Sequence, residues 1–472
     1  MRPTDSWLAG KRVLVMGIGT RQGGLGVTRY LVEAGAEVTV TDLRNEDSLA
    51  ATLLELKGLP LRFVLGEHRR EDFEQAEVVV RNPGVPLESP WLAIARAAGA
   101  DIEMEMSLFF RECPAPIIGI TGTKGKTTTS TLSAAILSHF RADTVLAGNM
   151  GRSALACLPE ISVDTPVVIE LSSWQLEGLG EHRLSPHIAV FTNLSPDHLN
   201  RYASMDEYLA AKLNIARFQQ PGDWYVVNKD DDRVWPSRNI GTGSVVEFSL
   251  HSDGSRGAYL DGERLVWRWE GKETEIARRA DLRLEGTHNL ANALAASAAA
   301  LLAGASAEQA RVALRTTGSV PDRQEFVAEI DGVAFINDTT ATTPAAVVAA
   351  IERFRGRPII LIAGGSDKGV ALDDLAREIA TNVDTVVLLD GAVTGDLLRL
   401  LRRQQVTNVF GPFDSMDGAV QESLRHSASG AVVLLSPGCA SFGMFRDEFH
   451  RGQSFRDAVQ RILQTGAGKG RA

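Results

Sequence analysis

Ile117-Ile-Gly-Ile-Thr-Gly-Thr-Lys-Gly-Lys-Thr-Thr-Thr129 is the stretch from which the rest of the chain is read. A run with the composition of a buried strand meets a turn of small residues, and helix-forming sequence follows. In a strand–turn–helix of this kind, backbone N–H groups from Gly122 to Thr127 converge on phosphate oxygens at the positive end of the helix. Lys126 would neutralise the β- and γ-phosphates, and the Thr127 hydroxyl is placed for Mg²⁺. Gly122, Thr123, Lys124, Gly125, Lys126, Thr127 and Thr128 are therefore the candidate ATP-binding set. The strict G-x-x-x-x-G-K-[ST] pattern is not met, because position 120 is Ile. The context and the compact T-G-T-x-G-K-T-T form carry the reading instead.

Working outward, a short Val/Ile/Leu run, a Gly-rich turn and an amphipathic helix recur on both sides of this loop. Such alternation predicts an α/β chain built of βαβ units on mostly parallel sheets. Strands are expected at 12–16, 37–41 and 77–80, then at 117–121, 166–170 and 188–192. A third set falls at 333–336, 358–363, 384–389 and 431–435. Between 223 and 285 the pattern changes, and Trp224-Tyr-Val-Val and Arg264-Leu-Val-Trp-Arg-Trp read as antiparallel ribbons. Linker-like Phe110-Arg-Glu-Cys-Pro-Ala-Pro116 and Gly318-Ser-Val-Pro-Asp322 divide the chain into three domains, 1–110, 111–320 and 321–472. That number fits 472 residues at the usual ~150 per domain.

Composition excludes several function classes. Lys+Arg 49 against Asp+Glu 59 gives a net charge of -10, which argues against broad nucleic-acid binding and against an anionic membrane surface. Cys113, Cys157 and Cys439 are scattered with no CxxC pair, so neither a disulfide framework nor a zinc site is implied. No apolar signal stretch precedes Val13, and the uncharged run Leu290 to Ala307 is mostly alanine, a buried helix rather than a membrane span. A cytoplasmic protein is expected.

Six segments in order then resemble the Mur ligases, the ATP-dependent amide-forming enzymes of peptidoglycan precursor synthesis. They are the phosphate loop, Gly148-Asn-Met-Gly, Glu170-Leu-Ser-Ser-Trp-Gln-Leu-Glu, Thr192-Asn-Leu-Ser-Pro-Asp-His-Leu-Asn-Arg, Tyr208-Leu-Ala-Ala-Lys and Gly286-Thr-His-Asn-Leu-Ala-Asn. Asn200 stands where the family has an acid. Physically, Glu170 ends a buried strand, where a carboxylate can complete a Mg²⁺ shell with Thr127 and phosphate. The resemblance implies that His198 binds a second Mg²⁺ and that Lys212 carries CO₂ as a carbamate. Without the resemblance, Lys212 reads as a solvated mid-helix lysine. Asn289 and Asn292 share one helical face and would meet the adenine, or else serve as helix caps. Asn149, Ser172 and Gln175 are implied to face the substrate.

In the first domain, Val15-Met-Gly-Ile-Gly-Thr-Arg-Gln-Gly-Gly-Leu-Gly with Asp42 at the end of the next strand suggests a dinucleotide site, but residues 20–22 break the spacing. By resemblance this Rossmann-like domain holds UDP, with Asp42, Arg44 and, in Arg81-Asn-Pro-Gly-Val-Pro, Gly84. In the third, also Rossmann-like, Pro321-Asp-Arg-Gln-Glu resembles H-R-x-E with Asp322 in place of histidine, and Arg323 would reach ATP phosphate. Asn337-Asp-Thr-Thr-Ala-Thr342 resembles N-D-S-K-A-T. Asp338 would hold the ribose, and Thr340 replaces lysine. Lys368 of Gly364-Gly-Ser-Asp-Lys would pair with the side-chain carboxylate of an incoming glutamate, bordered by Thr342, Ser441 and Phe442. Gly443 stands where the pattern has an acid.

The resemblance therefore implies ligation of D-glutamate to UDP-N-acetylmuramoyl-L-alanine through an acyl phosphate, with ATP and two Mg²⁺ and Lys126, His198, Lys212 and Arg323 catalytic, in a monomer. Two alternatives stand beside it. One is a sister ligase with another acceptor, such as L-glutamate, or one like folylpolyglutamate synthase. The other is a non-catalytic nucleotide-binding protein, in which Glu170, His198 and Lys212 would share no purpose.

Overall fold

The computed structural model describes residues 6–19, 22–149, 153–197, 201–251, 256–284, 286–318, 321–366, 372–441 and 443–465. The chain forms two compact units, Met1–Thr317 and Gly318–Ala472. The first unit holds two sheets and the second holds one.

The first sheet takes β1 (Arg12–Met16), β2 (Glu37–Asp42), β3 (Leu61–Leu65), β4 (Val78–Arg81) and β5 (Asp101–Glu103) in the order β3-β2-β1-β4-β5. Every pairing is parallel. The order reverses direction between β1 and β4, so the crevice at their carboxyl ends is where such sheets take ligands.

The second sheet has nine strands: β6 (Ile117–Thr121), β7 (Val145–Gly148), β8 (Val167–Glu170), β9 (Ile188–Phe191), β10 (Trp224–Asn228), β11 (Ser244–Ser249), β12 (Gly257–Asp261), β13 (Arg264–Trp269) and β14 (Lys272–Arg278). Their order is β14-β13-β12-β11-β10-β9-β6-β8-β7, which puts β6 between β8, ending at Glu170, and β9, which leads into Thr192-Asn193. Behind β6, the helices Lys126–Phe140 and Thr287–Leu302 pack together. The second is so rich in fully buried alanine, from Ala293 to Ala300, that the two backbones can approach closely.

The expectation of antiparallel ribbons holds for β12, β13 and β14 but not for Trp224-Tyr-Val-Val. There β10 lies parallel to both β9 and β11. The helix Met205–Arg217 between β9 and β10 explains this, since a helical crossover returns the chain in the same direction. Trp267 and Trp269 stack with centroids 5.0 Å apart, Trp224 meets Trp269 at 5.3 Å, and the Arg256 guanidinium lies 3.7 Å over Trp269. This aromatic group belongs to the outer, antiparallel end of the sheet.

In the second unit β15 (Glu325–Ile330), β16 (Val333–Asn337), β17 (Ile359–Ala363), β18 (Thr385–Leu389), β19 (Val409–Phe413) and β20 (Val432–Leu435) are ordered β15-β16-β20-β17-β18-β19. Only β15 pairs antiparallel. The strands missing from the sequence reading include β3, β15 and β19, all at sheet edges and partly exposed, where the apolar signal is weak. Among the described residues no helix is long and apolar enough to cross a membrane.

Candidate active site

The phosphate loop joins β6 to the Lys126–Phe140 helix. Two glycines shape it. Gly122 has φ +151°, and a Cβ there would sit 1.9 Å from Thr192 Oγ1. Gly125 caps the helix at φ +80°, where a Cβ would meet Asn292 Oδ1 at 2.3 Å. The loop is fastened to the segment after β9. Asn193 Oδ1 accepts from the Lys124 amide at 2.9 Å, and Asn193 Nδ2 donates back to the Lys124 carbonyl at 2.9 Å. Thr192 Oγ1 donates to the same carbonyl at 2.7 Å, and the Thr123 amide bonds the Asn193 carbonyl at 2.9 Å. The amides of Thr123 and Lys124 are thus committed to Asn193, which corrects the expectation that all amides from Gly122 to Thr127 face phosphate. The helix itself begins at the mouth from Gly125 onward, beside the hydroxyls of Thr127 and Thr128.

Two lysines converge behind the loop. Lys126 Nζ donates to the carbonyls of Gly122 and Thr123, at 3.1 and 3.0 Å. Lys212 Nζ donates to that same Gly122 carbonyl at 2.9 Å and to Thr121 Oγ1 at 3.3 Å, 4.8 Å from the Tyr208 ring centre. Lys212 is buried, so the reading of a solvated helix lysine is overturned. Burial, reinforced by the charge of Lys126, holds its pKa well below lysine's usual value, against the opposing pull of Asp197 and Glu170.

Glu170 is also buried. Asn149 Nδ2 donates to its Oε1 at 2.9 Å, while Oε2 is buried without a hydrogen-bond partner. A lone buried carboxylate oxygen is costly unless a cation completes it, so these residues fit Mg²⁺. Among the described residues no three His, Cys, Asp or Glu side chains gather as a self-sufficient metal cage. A metal here would draw its remaining ligands from Thr127, phosphate and water. His198 lies outside the described residues.

Asn292 is buried, and its Oδ1 accepts from Thr129 Oγ1 at 3.3 Å while its Nδ2 donates to Asn289 Oδ1 at 3.2 Å. It props the loop from behind, leaving partly exposed Asn289 closer to solvent. Ser172 and Gln175 form a reciprocal capping box at the start of the Ser173–Glu181 helix. In the first sheet, Arg44 is committed to Asp42 through Nε and NH2, at 3.1 and 3.0 Å. Burial would raise the Asp42 pKa, but hydrogen bonds from Arg44 and the Gly19 amide outweigh it and hold it below the ordinary range. The Gly84 amide bonds Asn82 Oδ1 at 3.0 Å in an exposed turn beyond β4.

In the second unit Asp338, at the end of β16, is buried and accepts from Ser436 Oγ at 2.8 Å and the Gln324 amide at 3.1 Å. Burial pushes its pKa up to about 6. Arg323 is exposed nearby in the chain. Ser441 is buried and Thr342 half-buried, on separate loops that a side chain unnoticed in the sequence holds together. Arg451, fully buried, donates to Thr339 Oγ1 at 3.0 Å, the Thr339 carbonyl at 2.9 Å and the Cys439 carbonyl at 3.3 Å. Lys368 and Phe442 lie outside the described residues.

Comparison with known proteins places this geometry. Three family models match in order: a Mur ligase MurD-like N-terminal domain over residues 11–103, a Mur ligase middle domain over 120–300, and a Mur ligase glutamate ligase domain over 322–439. A UDP-N-acetylmuramoylalanine–D-glutamate ligase from Roseiflexus sp. (strain RS-1) is 52% identical over 469 residues, covering 96% of this chain and 99% of that protein. One of the same name from Geotalea uraniireducens (strain Rf4) is 37% identical, covering 98% and 100%. The chain belongs to the Mur ligase family, with its three-domain α/β fold. Among solved structures, the UDP-N-acetylmuramate–alanine ligase of Thermotoga maritima aligns at TM-score 0.55 and 22% identity, covering 96% of this chain and 100% of that one. A murein peptide ligase from Psychrobacter arcticus aligns at 0.51 and 18%, covering 98% and 100%. These two likenesses concern the fold.

Proposed function

We propose that this protein joins D-glutamate to UDP-N-acetylmuramoyl-L-alanine at the expense of ATP, in the cytoplasm, as a monomer and without nucleic-acid or membrane partners. The observation that carries the ligase chemistry is the meeting of Lys126 and Lys212 at the Gly122 carbonyl, one strand from the unpartnered Glu170 oxygen. The relatives' names support the choice of substrates. Residues 1–110 would hold the UDP portion through Asp42, Arg44 and Gly84, residues 111–320 the ATP phosphates, and residues 321–472 the incoming amino acid.

In this reading the alanine carboxylate attacks the γ-phosphorus, ADP leaves, and the glutamate amine displaces phosphate from the acyl phosphate. Lys126 turns from its loop carbonyls to the β- and γ-oxygens and offsets charge that grows in the transition state. Arg323 adds a second cation, and Asp338 accepts from the ribose. Thr127 with Glu170, and His198, would hold two Mg²⁺, which would supply positive charge that lowers repulsion among the phosphates. A buried lysine of depressed pKa is neutral often enough to add CO₂. The resulting carbamate would turn Lys212 from a like-charge neighbour of Lys126 into its counter-ion. Asn149, Ser172 and Gln175 border the muramyl substrate, while Asn289 and Asn292 border the adenine. Lys368, with Thr342, Ser441 and Phe442, would hold the unreacting carboxylate of glutamate.

Phosphate release is the test, assayed with UDP-N-acetylmuramoyl-L-alanine and D-glutamate, L-glutamate, L-alanine, L-lysine or diaminopimelate. D-glutamate should win, and preference for another acceptor would overturn the substrate while leaving the ligase. Lys212→Ala should be inactive and regain some turnover with added small carboxylates. Full activity of that variant without CO₂ would remove the carbamate.

A further inference from the structure

Arg323 sits in a backbone turn that no glycine makes. Its two neighbours, Asp322 at φ +65° and Gln324 at φ +44°, both occupy the left-handed region, which is strained for residues with a Cβ. Such a conformation persists only where its surroundings over-determine it, and here every handle is held. Asp322 Oδ1 accepts from Arg456 NH1 at 2.9 Å and from Asn337 Nδ2 at 3.0 Å. The Asp322 amide donates to Glu325 Oε2 at 2.8 Å, an oxygen that Arg456 NH1 also reaches at 2.7 Å. The Asp322 carbonyl accepts from the amide and hydroxyl of Thr340, at 3.2 and 2.9 Å. On the other side, the Gln324 amide bonds Asp338 at 3.1 Å and its Oε1 accepts from Arg353 at 2.6 Å. Arg456 belongs to the helix Glu448–Thr465, which approaches so closely that a Cβ on Gly452 would stand 2.0 Å from Asp322 Oδ1.

The two departures noted in the sequence, Asp322 and Thr340, are therefore partners in one node. Both side chains are tied into the node: Asp322 Oδ1 accepts from Arg456 and Asn337, and the Thr340 hydroxyl donates to the Asp322 carbonyl. The side chain left pointing outward between them is that of Arg323. We propose that Asp322, anchored by Arg456 from the terminal helix, is a positioning residue that fixes the Asp322–Gln324 turn and so sets the direction in which Arg323 is presented. This rests on the ligase reading and on the role given there to Arg323.

A double-mutant cycle tests it. Asp322→Ala removes the acceptor that Arg456 and Asn337 share and keeps the Arg456–Glu325 pair, while Asp322→Asn retains an oxygen there and is the conservative control; Arg456→Gln would strand two carboxylates. ATP affinity is measured by calorimetry in the presence of Mg²⁺, beside steady-state kinetics. Asp322→Ala should weaken ATP binding and lower kcat/KM for ATP about tenfold, with KM for the amino acid unchanged within twofold, and Asp322→Asn should recover most of that loss. In an Arg323→Ala background Asp322→Ala should cost nothing further, because the residue being aimed is gone. An equal loss in both backgrounds, or no loss in the wild-type background, overturns the proposal and leaves the ligase reading standing. If Arg323→Ala itself leaves ATP affinity untouched, the role of Arg323 falls, and this inference falls with it.

Discussion

The phosphate loop and the Asp322–Gln324 turn both present one cation on a backbone that L-residues with side chains avoid, and they do so by opposite means. At the loop, glycine supplies the conformation: Gly122 and Gly125 have positive φ and leave room for Thr192 and Asn292. At the turn there is no glycine, and Arg456, Asn337, Glu325, Thr340 and Asp338 hold Asp322 and Gln324 in place. A glycine device is local and travels with its short sequence. A side-chain device is assembled from residues up to 134 positions apart, so its strength depends on tertiary structure.

The contrast can be broken first at its strongest point. Lys126→Ala should lower turnover by on the order of 10²–10³ or more, while losing its bonds to the Gly122 and Thr123 carbonyls should cost the fold only about 1–2 kcal/mol. Undiminished product formation by the folded variant would remove the phosphate loop from the chemistry. Gly122→Ala should come next. Its Cβ would fall 1.9 Å from Thr192 Oγ1, and the resulting shift should cost roughly 1–3 kcal/mol in denaturant unfolding and detach the loop from Asn193. Wild-type stability in that variant would show that the glycine is not what shapes the loop.

The side-chain device should also respond to pH where the glycine device does not. Asp338 is raised to about 6 by burial. Its protonated form is favoured in the folded state, so its contribution is fully present below pH ~4 and is lost as pH rises through about 6. The Asp338→Asn variant should therefore gain stability relative to wild type across that window, by roughly 1–3 kcal/mol. A wild-type-to-variant difference that stays flat from pH 4 to 7 would contradict this. The smallest effect is expected from placing glycine in the turn. Gln324→Gly relieves a strained φ of +44° but loses the bond from Arg353. These terms should cancel to within about 1 kcal/mol, with a modest rise in KM for ATP. A loss well beyond that would mean the Arg353 contact, rather than backbone conformation, dominates.

How much of this was legible in the sequence follows the same division. Gly125-Lys126-Thr127, the strand-end Glu170 and the α/β rhythm could be read because each is written within a few consecutive residues. Burial of Lys212 could not be read from a helix with Glu207 and Arg217 beside it; the family pattern gave only its implied carbamate role. Asn193 was quoted within a motif but given no task, since its partner Lys124 is 69 residues away. Arg451 and Arg456 were given no role in the sequence reading, since their partners, Thr339 for the one and Asp322 and Glu325 for the other, lie more than a hundred residues away. The direction of β10 was misread because the crossover helix before it was not set against the ribbon pattern after it.

The stacked tryptophans at the outer end of the nine-stranded sheet have an optical consequence. All seven tryptophans and all five tyrosines lie before residue 318, and Trp224, Trp267 and Trp269 form a single excitonic group under the Arg256 guanidinium. Absorbance at 280 nm and tryptophan and tyrosine emission therefore belong to the Met1–Thr317 unit alone. The Gly318–Ala472 unit is dark at 280 nm, so a single fluorescence melt would pass over its unfolding entirely. Far-ultraviolet dichroism, or one tryptophan introduced at an exposed position such as Phe326, would give that unit a signal of its own.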